Sequence, residues 1–213
     1  MREILKQLYP AVAALILFTV ICGLVYPLVI TGVAQMIFPH EANGSILTQN
    51  GHPAGSELIG QPFSDQGHFW GRPSATSPFP YNSAASSGSN LAPTNPDLTT
   101  AVSERVRALK EADPGNNQPI PIDLVTSSGS GLDPHISPEA AEYQVPRVAR
   151  VRRLPVEEVQ RLVREYTEDS TWGILGEPRV NVLRLNQALD TLSLARNPEN
   201  QKVDGNGTHT PQS

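Results

Sequence analysis

Cysteine is all but missing from this 213-residue chain. Cys22 stands alone, so no disulfide can form within the chain, and any domain outside a membrane must hold together by packing. A small secreted scaffold stapled by bridges is excluded. Excess positive charge is missing too. With 16 Lys and Arg against 21 Asp and Glu, the net charge is -5, and no basic stripe is available to neutralise phosphates, which argues against nucleic acid as a partner. Catalytic signatures are also absent. There is no Gly-x-x-x-x-Gly-Lys-Ser/Thr phosphate cradle, and Ser127-Ser128-Gly129-Ser130-Gly131 has its glycines at the wrong spacing for a nucleophile elbow. The histidines are scattered, without His-Glu-x-x-His or Cys-rich metal spacing.

One absence is local and carries the most information. No formally charged residue occurs between Gln7 and His40, and Ala11 to Ile30 is almost continuous Ala, Val, Leu, Ile and Phe. About 20 apolar residues at helical rise cover roughly the 30 Å hydrocarbon core of a bilayer. The stretch therefore predicts one membrane span over residues 11–31, within an anchor of residues 1–38. A cleaved signal peptide would have a shorter apolar region and a small-residue cleavage site, whereas this run continues through Tyr26-Pro27-Leu28-Val29-Ile30. Arg2 and Lys6 precede the span and Glu41 is the first charge after it, which predicts a cytoplasmic N-terminus and an extracytoplasmic remainder. Within the span, Pro27 predicts a kink near the outer end. Thr19 and Gly23 form a small-xxx-small pair that would let another helix approach closely.

The rest of the chain, residues 39–196, reads as one α+β domain with short strands and about three to four helices. Residues 55–96 are dense in Gly, Ser, Pro and Asn and predict short strands and ordered loops laid over a folded surface. Asn95-Pro96 is a cap followed by proline at the first helical position, with Leu98, Ala101, Val102, Val106 and Leu109 at helical spacing. Ile120 to Thr126 predicts an edge strand. Ser137-Pro138-Glu139 starts a second helix, which Pro146 should break or bend. Beyond it Arg147, Arg150, Arg152 and Arg153 read as a solvated face whose stems cover apolar surface, with Val145, Val148 and Val151 as the buried side. Pro155 opens a third helix, Val180 to Leu185 predicts a strand, and Gln187 to Leu194 predicts a short terminal helix. Residues 197–213 read as a disordered polar tail.

The one dense constellation of polar groups runs from Val125 to Pro138. A Ser/Gly loop leading to a helix N-terminus offers backbone donors and hydroxyls to an anion such as phosphate, which makes Ser127, Ser128, Gly129, Ser130 and Gly131 nucleotide-binding candidates. Turn formation at Asp133-Pro134 and capping by Ser137 account for most of these residues without a ligand.

In this stretch the chain resembles the KdpC family, the C subunit of the bacterial Kdp potassium-transporting ATPase. The marks are Gly55-Ser56-Glu57-Leu58-Ile59-Gly60-Gln61, Phe69-Trp70-Gly71-Arg72-Pro73-Ser74, Tyr81-Asn82 and Ser86-Ser87-Gly88-Ser89-Asn90-Leu91. They continue with Asp123-Leu124-Val125-Thr126, Ser130-Gly131-Leu132-Asp133-Pro134-His135-Ile136-Ser137-Pro138 and Gln144-Val145-Pro146-Arg147-Val148-Ala149. Leu175-Gly176-Glu177-Pro178, Val180-Asn181-Val182-Leu183 and Leu185-Asn186 complete the set. The resemblance covers nearly all of residues 1–195. The departures from its pattern are the extension from Asn197 to Ser213 and Trp70, where a smaller residue is expected.

The resemblance implies a non-catalytic, single-pass subunit of the bacterial plasma membrane, working in an ATP-driven potassium uptake complex. Its implied partners are a potassium-binding channel-like subunit and an ATP-hydrolysing P-type subunit, in contact with membrane lipid. It also implies a catalytic-chaperone role that raises the ATP affinity of the hydrolysing subunit, with no tightly bound cofactor and ATP met only through the complex. Topology opposes direct contact, because the Ser/Gly loop falls outside while ATP is inside. The residues agree on one point: a single span cannot enclose a pore, and the chain has neither a Thr-Val-Gly-Tyr-Gly filter nor an Asp-Lys-Thr-Gly-Thr phosphorylation motif. Two other classes are a membrane-anchored extracytoplasmic hydrolase using the Ser/Gly loop and His135, and an extracytoplasmic ligand-binding module.

Overall fold

A computed structural model describes residues 2–49 and 51–196, with side chains from Lys6 onward. The predicted tail, residues 197–213, lies outside the described residues. The chain divides into two compact units, residues 1–46 and 47–213.

The first unit is a long helix. It comprises α1 (Arg2–Val20), one π-helical turn (Ile21–Val25) and α2 (Tyr26–Ile37), followed by the short α3 (Pro39–Ala42). From Lys6 to Ile37 it is long and apolar enough to cross a membrane, and its apolar window is wholly unburied. The π turn lies just before Pro27, where the Tyr26 N–H bonds back to Ile21 O. Pro27 lacks an N–H and its ring would press on the carbonyl of Gly23, so widening the preceding turn absorbs it.

In the second unit, β1 (Ile46–Gln49) and β2 (His52–Ser56) form a two-stranded sheet. A long irregular segment then leads to α4 (Pro96–Ala112), capped by Asn95, whose Oδ1 accepts from Asp97 N at 2.9 Å. The predicted edge strand over Ile120–Thr126 is corrected to a 3-10 turn, Ile122–Leu124. Pro121 offers no ladder donor, and the Val125 and Thr126 N–H groups return to Ile122 O.

The strand β3 (His135–Ile136) precedes α5 (Pro138–Arg152), α6 (Val156–Glu165), β4 (Thr167–Glu168), β5 (Arg179–Asn181) and α7 (Val182–Arg196). The three strands form an antiparallel sheet in the order β3-β5-β4, with His135 opposite Asn181 and Thr167 opposite Val180. Ser137 caps α5, its Oγ accepting from Ala140 N at 3.0 Å. Pro146 neither breaks nor ends α5, which continues to Arg152. Burial of Val145, Val148 and Ala149 on one face outweighs the missing bond. The predicted strand Val180–Leu185 is cut short at Asn181. That side chain accepts from Arg184 N at 3.1 Å and so caps α7, which begins at Val182 rather than Gln187.

The core sits where α5, α6, α7 and the sheet meet, around Ile136, Val148, Val159, Val163, Val180, Leu185 and Leu189. Phe69, from the irregular segment, is fully buried among them.

Candidate functional site

The irregular segment, which carries Phe69-Trp70-Gly71-Arg72-Pro73-Ser74, is held by side chains that imitate a β-ladder. Asn186, on α7, accepts from Phe69 N at 2.8 Å and donates to Phe69 O at 3.0 Å. Gln144, on α5, does the same for Trp70, accepting from N at 2.8 Å and donating to O at 3.1 Å. Two carboxamides thus clamp consecutive peptides of a chain that has no strand partner, satisfying backbone groups that burial would leave unpaired.

Arg147 completes the clamp, and here the sequence reading is corrected. The residue is not on a solvated face: it is 2% exposed. Its guanidinium donates to Gln66 O, to His68 O at 3.0 Å and to Gln144 Oε1 at 2.6 Å, and lies over the Trp70 ring at 4.5 Å. Burial lowers its pKa to about 10, partly opposed by Asp113 and Asp65, so it remains a cation at neutral pH. The indole of Trp70 supplies the face on which this cation stacks. Arg152 is partly buried against Gly67 O and Asp190, whereas Arg150 and Arg153 are exposed. Val151, expected on the buried side, is also exposed.

The Ser/Gly loop packs on the same segment. Ser128 is buried, and its Oγ accepts from Gly131 N at 2.9 Å; Ser130 Oγ accepts from Leu132 N at 3.1 Å. Ser130 O accepts from Ser87 N and from Ser86 Oγ, both at 3.0 Å, so the Ser-rich stretch is laid on the loop as the sequence suggested. Gly131 has φ +67, and a Cβ there would lie 2.5 Å from Ser87 O, so only glycine fits this close approach. Ser127 is the member on which cations converge. Arg105 Nη2 reaches its Oγ at 3.3 Å, and Arg72 Nη2 reaches its carbonyl at 3.5 Å.

Next to the loop, Arg72 Nη1 bonds Asp133 Oδ2 at 3.2 Å, and Asp133 Oδ1 accepts from His135 N at 3.0 Å. These side chains line a groove of ≈ 700 Å³ with Asp123, Glu139, Glu177 and Arg179. Burial pushes the Asp133 carboxyl up, but His135 and Arg72 together hold it below its ordinary value. Tyr81 goes the other way, raised to about 12 by burial and by Asp133, so it keeps its proton and serves as neither base nor nucleophile. His135 Nδ1 faces Asp133 Oδ1 at 3.5 Å, and among the described residues no hydrogen bond joins it to a loop serine. Among the described residues, His135 and the loop serines therefore do not form the nucleophile and base pair that a hydrolase needs. Among the described residues, no cluster of His, Cys, Asp or Glu could hold a metal ion.

In the first unit, Thr19 and Gly23 share a face at the entry to the π turn, with Thr19 Cγ2 4.0 Å from where a Gly23 Cβ would stand. Sequence reasoning missed the roles of Gln144, Asn186 and Arg147. The only available signal was their polarity at positions where a helix otherwise turns apolar residues inward.

Comparison with known proteins follows this architecture. The family model described as "K+-transporting ATPase, c chain" matches residues 8–191. The potassium-transporting ATPase KdpC subunit of Methylococcus capsulatus is 59% identical over 183 residues, covering 86% of this chain and 96% of that protein. The subunit of the same name from Polaromonas naphthalenivorans is 56% identical over 198 residues, covering 93% of this chain and 100% of its own length. That from Herpetosiphon aurantiacus is 60% identical over 183 residues, with 86% and 95% covered.

Proposed function

The chain belongs to the KdpC family, the c chain of K+-transporting ATPases, and from that premise we propose that it is a non-catalytic accessory subunit that anchors and stabilises a potassium uptake complex in the bacterial plasma membrane. The partners in this reading are a potassium-binding channel-like subunit and an ATP-hydrolysing P-type subunit. Residues 1–38 form the membrane anchor, with the N-terminus in the cytoplasm. Residues 39–196 work outside the cell.

The observation that carries the reading is a 32-residue apolar helix with an unburied face, attached to a unit in which Asn186, Gln144 and Ser128 hold the chain's own backbone. Such a helix finds partners by close packing in lipid, for which Thr19 and Gly23 provide the small surface. In this reading the chain holds no tightly bound cofactor, and ATP is met through the complex.

The catalytic-chaperone effect, a raised ATP affinity of the hydrolysing subunit, is then transmitted through assembly. Binding that favours one state of a partner shifts its ligand affinity by the same coupling energy. A second reading places ATP against Ser127, Ser128, Gly129, Ser130 and Gly131 directly. It is favoured by the convergence of Arg72 and Arg105 on Ser127 and opposed by the internal bonds of Ser128 and Ser130.

Deleting residues 1–38 and purifying the complex tests the anchoring role. Loss of assembly is expected, and retained assembly with potassium-stimulated ATPase activity would overturn it. Protease digestion in intact cells against inverted vesicles tests the orientation. Cleavage only from the cytoplasmic face would refute it and make direct ATP contact the better account.

A further inference from the structure

Between β4 and β5 the chain makes a tight turn whose apolar side chains have no place in the core. Trp172, Ile174 and Leu175 are 86%, 84% and 56% exposed. The turn is nonetheless ordered by its own backbone. Thr171 N donates to Leu175 O at 2.8 Å, Leu175 N returns to Thr171 O at 3.0 Å, and Gly173 N bonds Ser170 O at 2.9 Å. Its base is tied by ion pairs of Glu168 with Arg179 and Arg184, each at 3.2 Å. Trp172 itself sits at φ 56, a conformation that a bulky residue adopts only under strain. Among the described residues, its indole N–H has no hydrogen-bond partner.

The surroundings discriminate among occupants. A second copy of the chain would bring the same exposed acidic residues, Asp169 and Glu177, to the contact, and like charges facing each other disfavour it. A bilayer surface is disfavoured by charge, because exposed Asp169 and Glu177 flank the tip and the chain carries a net charge of -5, whereas bacterial lipid surfaces are anionic. A protein socket fits both properties. An exposed aromatic with aliphatic neighbours is the usual anchor of an interface, and the acidic flanks call for a basic rim. The small area is sufficient when a membrane span already holds the chain beside its partner, since the second contact is then intramolecular.

We propose that the Trp172–Leu175 tip is a docking knob that seats in an apolar, basic-rimmed socket on another protein subunit of the ATPase. This rests on the subunit reading above.

The test uses the assembled complex. Trp172→Ala and Trp172→Gly should leave the unfolding of the chain unchanged or improved, because the side chain lies outside the core. Each should also speed loss of the chain from the immobilised complex about tenfold, as truncation of an interface anchor does, while Trp172→Phe largely preserves retention. Glu177→Lys should weaken retention in the same direction. Unchanged retention in Trp172→Ala overturns the proposal. A photoreactive benzoylphenylalanine placed at residue 172 should cross-link to another transporter subunit. An adduct with phospholipid or with a second copy of this chain overturns it in favour of that occupant. Failure of the unmodified chain to co-purify with any subunit refutes the subunit reading itself, and the knob with it.

Discussion

At Arg147 a guanidinium taken almost wholly out of water is held by two backbone carbonyls, a carboxamide oxygen and an indole face. Burying a cation without a direct carboxylate partner is expensive, and here the bonds to Gln66, His68 and Gln144 offset the cost. The Gln66 and His68 carbonyls depend on the arginine in return, whereas Gln144 Oε1 keeps the Trp70 N–H. Arg147→Met should therefore destabilise the chain by about 3 kcal/mol, since it leaves those two carbonyls without their donor. Urea unfolding of the detergent-solubilised chain would measure it, and a loss below about 1 kcal/mol would mean that water reaches the site. Sequence placed Arg147 on a solvated helix face, because helical periodicity alone does not distinguish a long polar side chain that snorkels from one that turns inward. The Ser/Gly loop shows the opposite case. Its turn chemistry was legible from Gly131 and Asp133-Pro134, and the structure supports that account with internal bonds from Ser128 and Ser130.

Among the elements, the helix starts were the most readable, because capping is local. Asn95 and Ser137 cap α4 and α5, each followed by proline, as their spacing implied. Ser137→Ala should cost about 1 kcal/mol, read as a shift in the urea midpoint. A larger loss would show that the cap also fixes the neighbouring contact, in which Ser137 N donates to Asp123 Oδ2 at 2.7 Å. Helix continuity and strand limits were less readable. Pro146 stays inside α5 because buried neighbours hold the turn, and Asn181 ends β5 by turning its side chain to cap α7. Both outcomes depend on what packs alongside, so a reading limited to neighbours in sequence assigned a break or bend in one place and a longer strand in the other.

At the scale of the molecule, the irregular segment is joined to the helices at widely separated points. Asp190 on α7 accepts from Arg152 on α5 at 2.6 Å and lies 3.2 Å from His68, which also faces Asp65 at 3.2 Å. Burial alone would raise the Asp190 carboxyl, but hydrogen bonds from His68 and Arg152 hold it below its ordinary value. A carboxyl with a lowered folded pKa stabilises the fold above its unfolded value, about pH 4, and that contribution disappears as the pH falls through the folded one. Asp190→Asn should thus be less stable than the parent at pH 7, with the gap closing below about pH 4. Urea midpoints at pH 7 and pH 3 would show it, and a gap independent of pH would place the role of Asp190 in packing rather than charge.

By itself the sequence determined the long apolar helix, the lack of disulfides, the starts of α4 and α5 and the family, since each rests on composition or on residues close together in the chain. Only the tertiary structure decided the destination of Gln144, Arg147, Asn186 and Asp190, whose farthest partners lie 74 to 122 positions away. A segment without strand partners leaves its peptide groups to be satisfied from elsewhere. Which distant carboxamide or guanidinium meets that need depends on how α5 and α7 pack, and packing is set by the chain as a whole.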